Sequence, residues 1–155
     1  MRHHCADLTH EWSSSLTHGD NPRLHSGSGA NRLKAMVAKD RLTRRSLVPS
    51  MLGAIAGIQL VATVTGAEVA MTWLASHSDE WELAVVTLEH DPAQLEVVSF
   101  ARGSKASAKI VVFGSIVSGE IRAECLRCGA DAAFSSRRSG DFVAWLDQLG
   151  APDVA

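Results

Sequence analysis

Along most of this chain, short apolar runs rich in β-branched residues alternate with longer stretches of helical period. The pattern is clearest from Lys109 to Leu149. Lys109-Ile-Val-Val-Phe113 is a short apolar run of the kind that forms a strand buried on both faces. Gly114-Ser115 ends it, and Ser118 stands where a helix N-cap belongs, with Glu120 near the positive end of the helix dipole. Ile121, Cys125 and Cys128 then recur on about one helical face, and Gly129 is placed for a left-handed C-cap. Ala130 to Phe134 forms a second short strand. After Ser135-Ser136-Arg137-Arg138, a last helix carries Phe142, Trp145, Leu146 and Leu149 at i, i+3, i+4 and i+7. Strand, helix, strand, helix with short connections implies a parallel sheet with right-handed crossovers.

The same alternation extends backwards. Leu33 to Ala38 reads as a first strand, and Arg41 to Ala56 as a helix with Leu47, Met51 and Ile55 on one face. Pro49 conflicts with that helix, since an interior proline costs about 3 kcal/mol, so the helix kinks there or starts late. Residues 46–67 contain no charge and follow Arg41, Arg44 and Arg45, which is the length and flank of a membrane span. Three glycines, a proline, a glutamine and the β-branched cluster after Gly57 favour helix end, turn and a buried strand from Gln59 to Val64. Glu68 to His77 is a second helix with Val69, Trp73 and Met71 inward. Glu82 to Leu88 is a third strand, and Pro92 or Ala93 to Gly103 a third helix bearing Leu95, Val98 and Phe100.

Composition adds three limits. With 15 basic and 17 acidic residues in 155, nothing points to nucleic acid as a bulk electrostatic partner. Three cysteines, an odd number, make no disulfide framework, and a reducing cytoplasm suits them. Residues 1–32 are a different material, rich in His, Gly, Ser and Asn without a sustained apolar period, and read as a disordered tail. His3, His4, Cys5 and His10 are metal-ligating types, but nothing fixes their geometry, so no metal or other cofactor is expected. No apolar stretch follows the first basic residues as in a signal peptide. Residues 33–150 form the domain and 151–155 a short C-terminal tail.

The segments KIVVFGS, SGEIRAECLRCGADAAFSS and DFVAWLDQL, in that order, resemble the second half of a response-regulator receiver domain, the Gly129-Ala130-Asp131 triplet most of all. The likeness spans residues 33–150, about three quarters of the chain. It implies an α/β fold of the flavodoxin-like kind: a doubly wound, five-stranded parallel sheet in the order 2-1-3-4-5. It also implies a site at the carboxyl ends of the strands. There, two acidic residues hold magnesium, an aspartate accepts a phosphoryl group, and a hydroxyl and a lysine bind the product.

This sequence departs from that pattern almost everywhere. The acidic pair falls on Lys39 and Asp40, and the phosphoacceptor on Thr87, whose hydroxyl is a weak nucleophile without a base. The switch hydroxyl falls on Gly114 with Ser115 adjacent, the aromatic switch on Ala133, and the lysine on Ser136 beside Arg137. Lys39 offers a fixed positive charge in place of a metal. Glu89 and Asp91 lie just beyond the acceptor, and a register shift would be needed to use them, turning Val85 and Leu88 the wrong way. Cys125-Leu-Arg-Cys128 falls in the last turn of a helix, where the dipole disfavours thiolate, and reads as structural.

The expectation is therefore a non-enzymatic, phosphorylation-independent pseudo-receiver, cytoplasmic, acting through protein contacts and not through nucleic acid or membrane. The resemblance implies that partners, or a second copy in a homodimer, dock on the face of the fourth helix, fifth strand and fifth helix. Its candidate contacts are Glu120, Arg122, Arg127, Arg137, Arg138 and Asp141. The rival expectations are a true phosphoacceptor using Asp91 or Glu89 with magnesium, a thiol or zinc protein, and a single-span membrane protein.

Overall fold

The computed structural model describes residues 32–150 apart from Arg44, Arg45 and Ile116. The histidines and Cys5 of the N-terminal tail, and residues 151–155, lie outside the described residues.

Strand β1 (Leu33–Lys39) leads through a short helix α1 (Val48–Gly53) to β2 (Ile58–Thr65) and α2 (Ala67–Ser76). There follow β3 (Leu83–Leu88), α3 (Gln94–Ser104), β4 (Lys109–Gly114), α4 (Gly119–Cys128), β5 (Ala132–Ser135) and α5 (Ser139–Gly150). A single 3₁₀ turn, Ser136–Arg138, joins β5 to α5. All strand pairs are parallel, and the sheet order is β2-β1-β3-β4-β5. The doubly wound fold expected from the sequence is the one observed.

The two-residue period of the strands sorts their side chains between two cores. Met36, Ala38, Ala84, Val86, Ile110 and Val112 face α2, α3 and α4, where Trp73, Leu74, Val97, Val98 and Cys125 cover them. Ala35, Val37, Leu83, Val85, Val111 and Phe113 face α1 and α5, against Val48, Leu52, Phe142 and Leu146. Each large apolar side chain so buried stabilises the fold by about 1.5–3 kcal/mol. An aromatic stack holds α5 down, with Phe113 and Phe142 rings 4.5 Å apart. Between β1 and β2 the register slips at Ala35/Met36, leaving Val61 without an opposite residue.

Several elements depart from the sequence reading. The first helix is six residues, not sixteen, because Pro49 belongs in the first turn, where its missing N–H is no loss. Leu47 therefore precedes the helix and is 75% exposed. Val69 on α2 and Ile121 on α4 are also exposed, so Trp73 and Cys125 carry those contacts. β5 begins at Ala132, since Gly129 and Ala130 are used in the helix stop. Ser118 caps α4 as expected, accepting from the Ile121 N–H at 3.2 Å, and Gly129 takes φ 122°. No helix among the described residues is long and apolar enough to cross a membrane.

Candidate functional site

The carboxyl ends of β1, β3 and β4 converge where the strand order reverses, the place at which such sheets bind ligands. Asp40, just past β1, is fully buried there. Its Oδ2 accepts three consecutive backbone N–H groups, from Glu89 at 3.0 Å and from His90 and Asp91 at 2.8 Å each. Its Oδ1 accepts from Leu42 N–H at 2.8 Å. Burial pushes the carboxyl pKa up, but the donors of Asp91, Leu42, His90 and Glu89 outweigh it and hold it below the ordinary value. Asp40 is thus the fixed anion around which the β3–α3 loop is wrapped.

Thr87, at the acceptor position, is 2% exposed, and its Oγ1 accepts from the Asp40 N–H at 2.9 Å. Between them, Gln94 at the start of α3 is buried, and its Nε2 donates to Ala38 O at 3.0 Å and Thr87 O at 2.8 Å. Gln94 therefore bridges the ends of β1 and β3 and fills the crevice between them. Its Oε1 has no partner among the described residues. Sequence reasoning missed Gln94, although it shares the inward face of α3 with Val97, Val98 and Ala101.

Gly114 explains the missing switch hydroxyl. A Cβ built on it would lie 2.4 Å from the backbone oxygen of Leu88, so no side chain fits against β3 on this backbone. Ser115 is exposed and its Oγ donates to Glu89 Oε1. Its carbonyl accepts from Ser135 Oγ at 3.1 Å and Ser136 Oγ at 3.3 Å, which ties the lysine-position residue to the β4–α4 loop. Burial and the nearby Asp40 push the Glu89 pKa up against the opposing pull of His90 and Ser115. Asp91 caps the approach to α3, accepting from Ala93 N–H at 3.0 Å, and pairs with Arg41 at 3.2 Å. Ala133 is buried in the core beneath α4. Lys39 is half-buried and makes no ion pair among the described residues.

These residues do not fit magnesium. Asp40 is buried with three N–H donors on Oδ2 and one on Oδ1, its neighbour is a lysine, and Thr87 is buried as well. No group of three or more His, Cys, Asp or Glu among the described residues could hold a metal. Cys125 is buried, and burial with Cys128 and Glu124 nearby pushes its thiol up to about 11, so it stays protonated.

The second candidate region is a groove of about 590 Å³ between α4, β5 and α5. Arg122 from α4, Phe134 from β5, Arg137 and Arg138 from the 3₁₀ turn, and Asp141 from α5 line it. Arg138 pairs with Asp141 at 3.6 Å. Glu120 and Arg127 are exposed on α4 outside the groove, Arg127 pairing with Glu124 at 2.8 Å.

On the opposite edge of α4, Arg102 was not anticipated. It donates through Nε to Gly129 O at 3.0 Å and through one terminal nitrogen to Ala106 O and Ala108 O at 2.7 and 2.8 Å. The other reaches Asp131 at 2.7 Å, whose carboxylate also accepts from Ile110 N–H at 2.8 Å. The Gly-Ala-Asp triplet is therefore a docking station for this arginine.

In comparisons of sequence, no family model and no curated protein matches the chain. Solved structures do match in fold. A two-component response regulator of the LuxR family from Aurantimonas sp. SI85-9A1 has a TM-score of 0.65 at 16% identity, over 77% of this chain and 85% of that one. The receiver domain of the response regulator NarL from Mycobacterium tuberculosis has 0.63 at 14%, over 77% and 97%. A pilus assembly-related protein from Burkholderia pseudomallei K96243 has 0.62 at 12%, over 81% and 96%. The chain has the receiver-domain fold, and at these identities the fold is what is shared.

Proposed function

We propose that this receiver-fold domain is a phosphorylation-independent pseudo-receiver, a non-catalytic module that acts in two-component-type signalling by binding another protein. The observation that carries this reading is the saturation of Asp40 by four backbone N–H groups. A buried carboxylate whose Oδ2 holds three donors and whose Oδ1 holds a fourth is committed to the loop and not turned toward a metal, and transfer of a phosphoryl group to a carboxylate needs its charges neutralised. The alternative acceptors are engaged as well, Asp91 by Ala93 and Arg41, and Glu89 by Ser115. With no phosphate to bias an equilibrium, the α4–β5–α5 face stays in one state. The similar structures include a complex of CheX with CheY and pilus assembly-related proteins as well as response regulators. Those settings support a partner that is itself a protein.

The test is intact mass of the full chain after incubation with acetyl phosphate and magnesium. No phosphoryl adduct is the expected result. A labile adduct would overturn the reading, and Asp91→Asn and Glu89→Gln would then locate the acceptor.

A further inference from the structure

The groove between α4, β5 and α5 has a chemistry opposite to that of the chain as a whole. The full sequence carries a net charge of −2, yet three arginines and a single aspartate line this groove. Arg122 and Arg137 make no ion pair among the described residues, and neither guanidinium has a hydrogen-bond partner there. Both are held on short, well-anchored elements: Arg122 in the first turns of α4 behind the Ser118 cap, Arg137 in the turn whose N–H is held by Ser135 Oγ at 3.3 Å. The floor is the outer edge of β5, which among the described residues pairs with β4 alone, and Phe134 lies half-buried on it. Leu126, 42% exposed, follows Arg122 by one helical turn on the same face of α4.

We propose that this groove docks an acidic polypeptide segment of a partner protein, its carboxylates on Arg122 and Arg137 and an apolar side chain on Phe134 and Leu126. The proposal rests on the reading of the domain as an interaction module and names the chemistry of its partner. Guanidinium groups without internal partners suit carboxylates in bidentate geometry. Phe134 in the groove and Leu126 one turn beyond Arg122 select a polypeptide over a small anion, which would use the charges and leave both uncovered. Arg138 is partly neutralised by Asp141 and contributes mainly to the encounter.

The experiment is fluorescence anisotropy of the full chain with a labelled peptide repeating Glu-Glu-Leu, beside peptides repeating Gln-Gln-Leu and Lys-Lys-Leu. Binding of the acidic peptide that weakens with salt is expected. Arg122→Glu with Arg137→Glu should lower that affinity by about tenfold or more and create binding of the Lys-Lys-Leu peptide. Urea denaturation of the double variant, expected to give an unchanged midpoint, separates a lost contact from a lost fold. Equal binding of the Gln-Gln-Leu peptide, or no response to the double charge reversal, overturns the proposal. So does displacement of the peptide by inorganic phosphate at matched ionic strength, or preferential binding of phosphatidylserine vesicles. A phosphoryl adduct in the mass experiment would remove the pseudo-receiver reading and leave the peptide result to stand alone.

Discussion

Replacing Asp40 with asparagine tests the interior of the site most directly. The carboxylate accepts four backbone N–H groups in a fully buried position. A hydrogen bond to a charged acceptor contributes about 1.5–3 kcal/mol, and a neutral one about 0.5–1.5. If the amide oxygen takes the Oδ2 position, the three loop bonds survive without their charge, losing about 1 kcal/mol each. The amide nitrogen then faces the Leu42 N–H, which loses its acceptor. Because the three bonds share one oxygen their losses do not add fully, and about 3 kcal/mol is the expected total. That is a large part of a typical domain stability of about 5–15 kcal/mol, yet small enough to leave a folded protein.

Urea denaturation at neutral pH measures it. The same titration in acid carries a second signature. The Asp40 pKa is lower in the folded chain than its ordinary value of 3.8, so its contribution is complete above that value. It fades as pH falls below 3.8 toward the folded-state pKa, and Asp40→Asn should lack that component of the acid loss. A loss under about 1 kcal/mol at neutral pH, with an unchanged acid slope, would refute the assignment of Asp40 as the loop's anchoring anion.

Other perturbations follow from the same geometry. Gly114→Ser, which would restore a hydroxyl by sequence, should instead lower stability by about 1–3 kcal/mol, read as a reduced urea midpoint, because of the contact with Leu88 O. Arg102→Met should cost about 2–4 kcal/mol and speed amide exchange at Ile110 and Asp131, since it removes every bond from the guanidinium to the α3–β4 and α4–β5 turns. Glu89 has a raised pKa, so wild-type stability should decline as pH climbs from the ordinary 4.5 through the folded-state value. Glu89→Gln should flatten that decline in urea titrations across the range.

The sheet was legible because its strands are unambiguous: the runs at Leu83–Leu88 and Lys109–Gly114 are apolar on both faces and bounded by turn residues. The Ser118 cap and Gly129 stop were legible for the same local reason. The start of α1 was not, because Pro49 is compatible with a kinked long helix or a late short one, and only packing on β1 and β2 decides. At the site, residue types at aligned positions showed where the sequence departs from the receiver pattern but not what the residues present do instead. The role of Asp40 depends on how the backbone of residues 89–91 points its N–H groups, and Arg102 works through carbonyls as far as 27 residues away. Gln94 was visible as a polar residue on an apolar helix face, and that signal went unused.

The close approach of Gly114 to Leu88 also bears on the direction of change open to this sequence. With no room for a Cβ at position 114, a serine there would have to displace the Leu88 carbonyl before it could serve any ligand. The strands must first part, and nothing rewards that step by itself. On the proposed reading, a phosphoacceptor site would need coordinated replacements at positions 39, 87, 114 and 136. On that reading the glycine would act as a ratchet, leaving the outer faces of α4 and α5 as the surfaces free to diversify while the carboxyl end of the sheet stays closed.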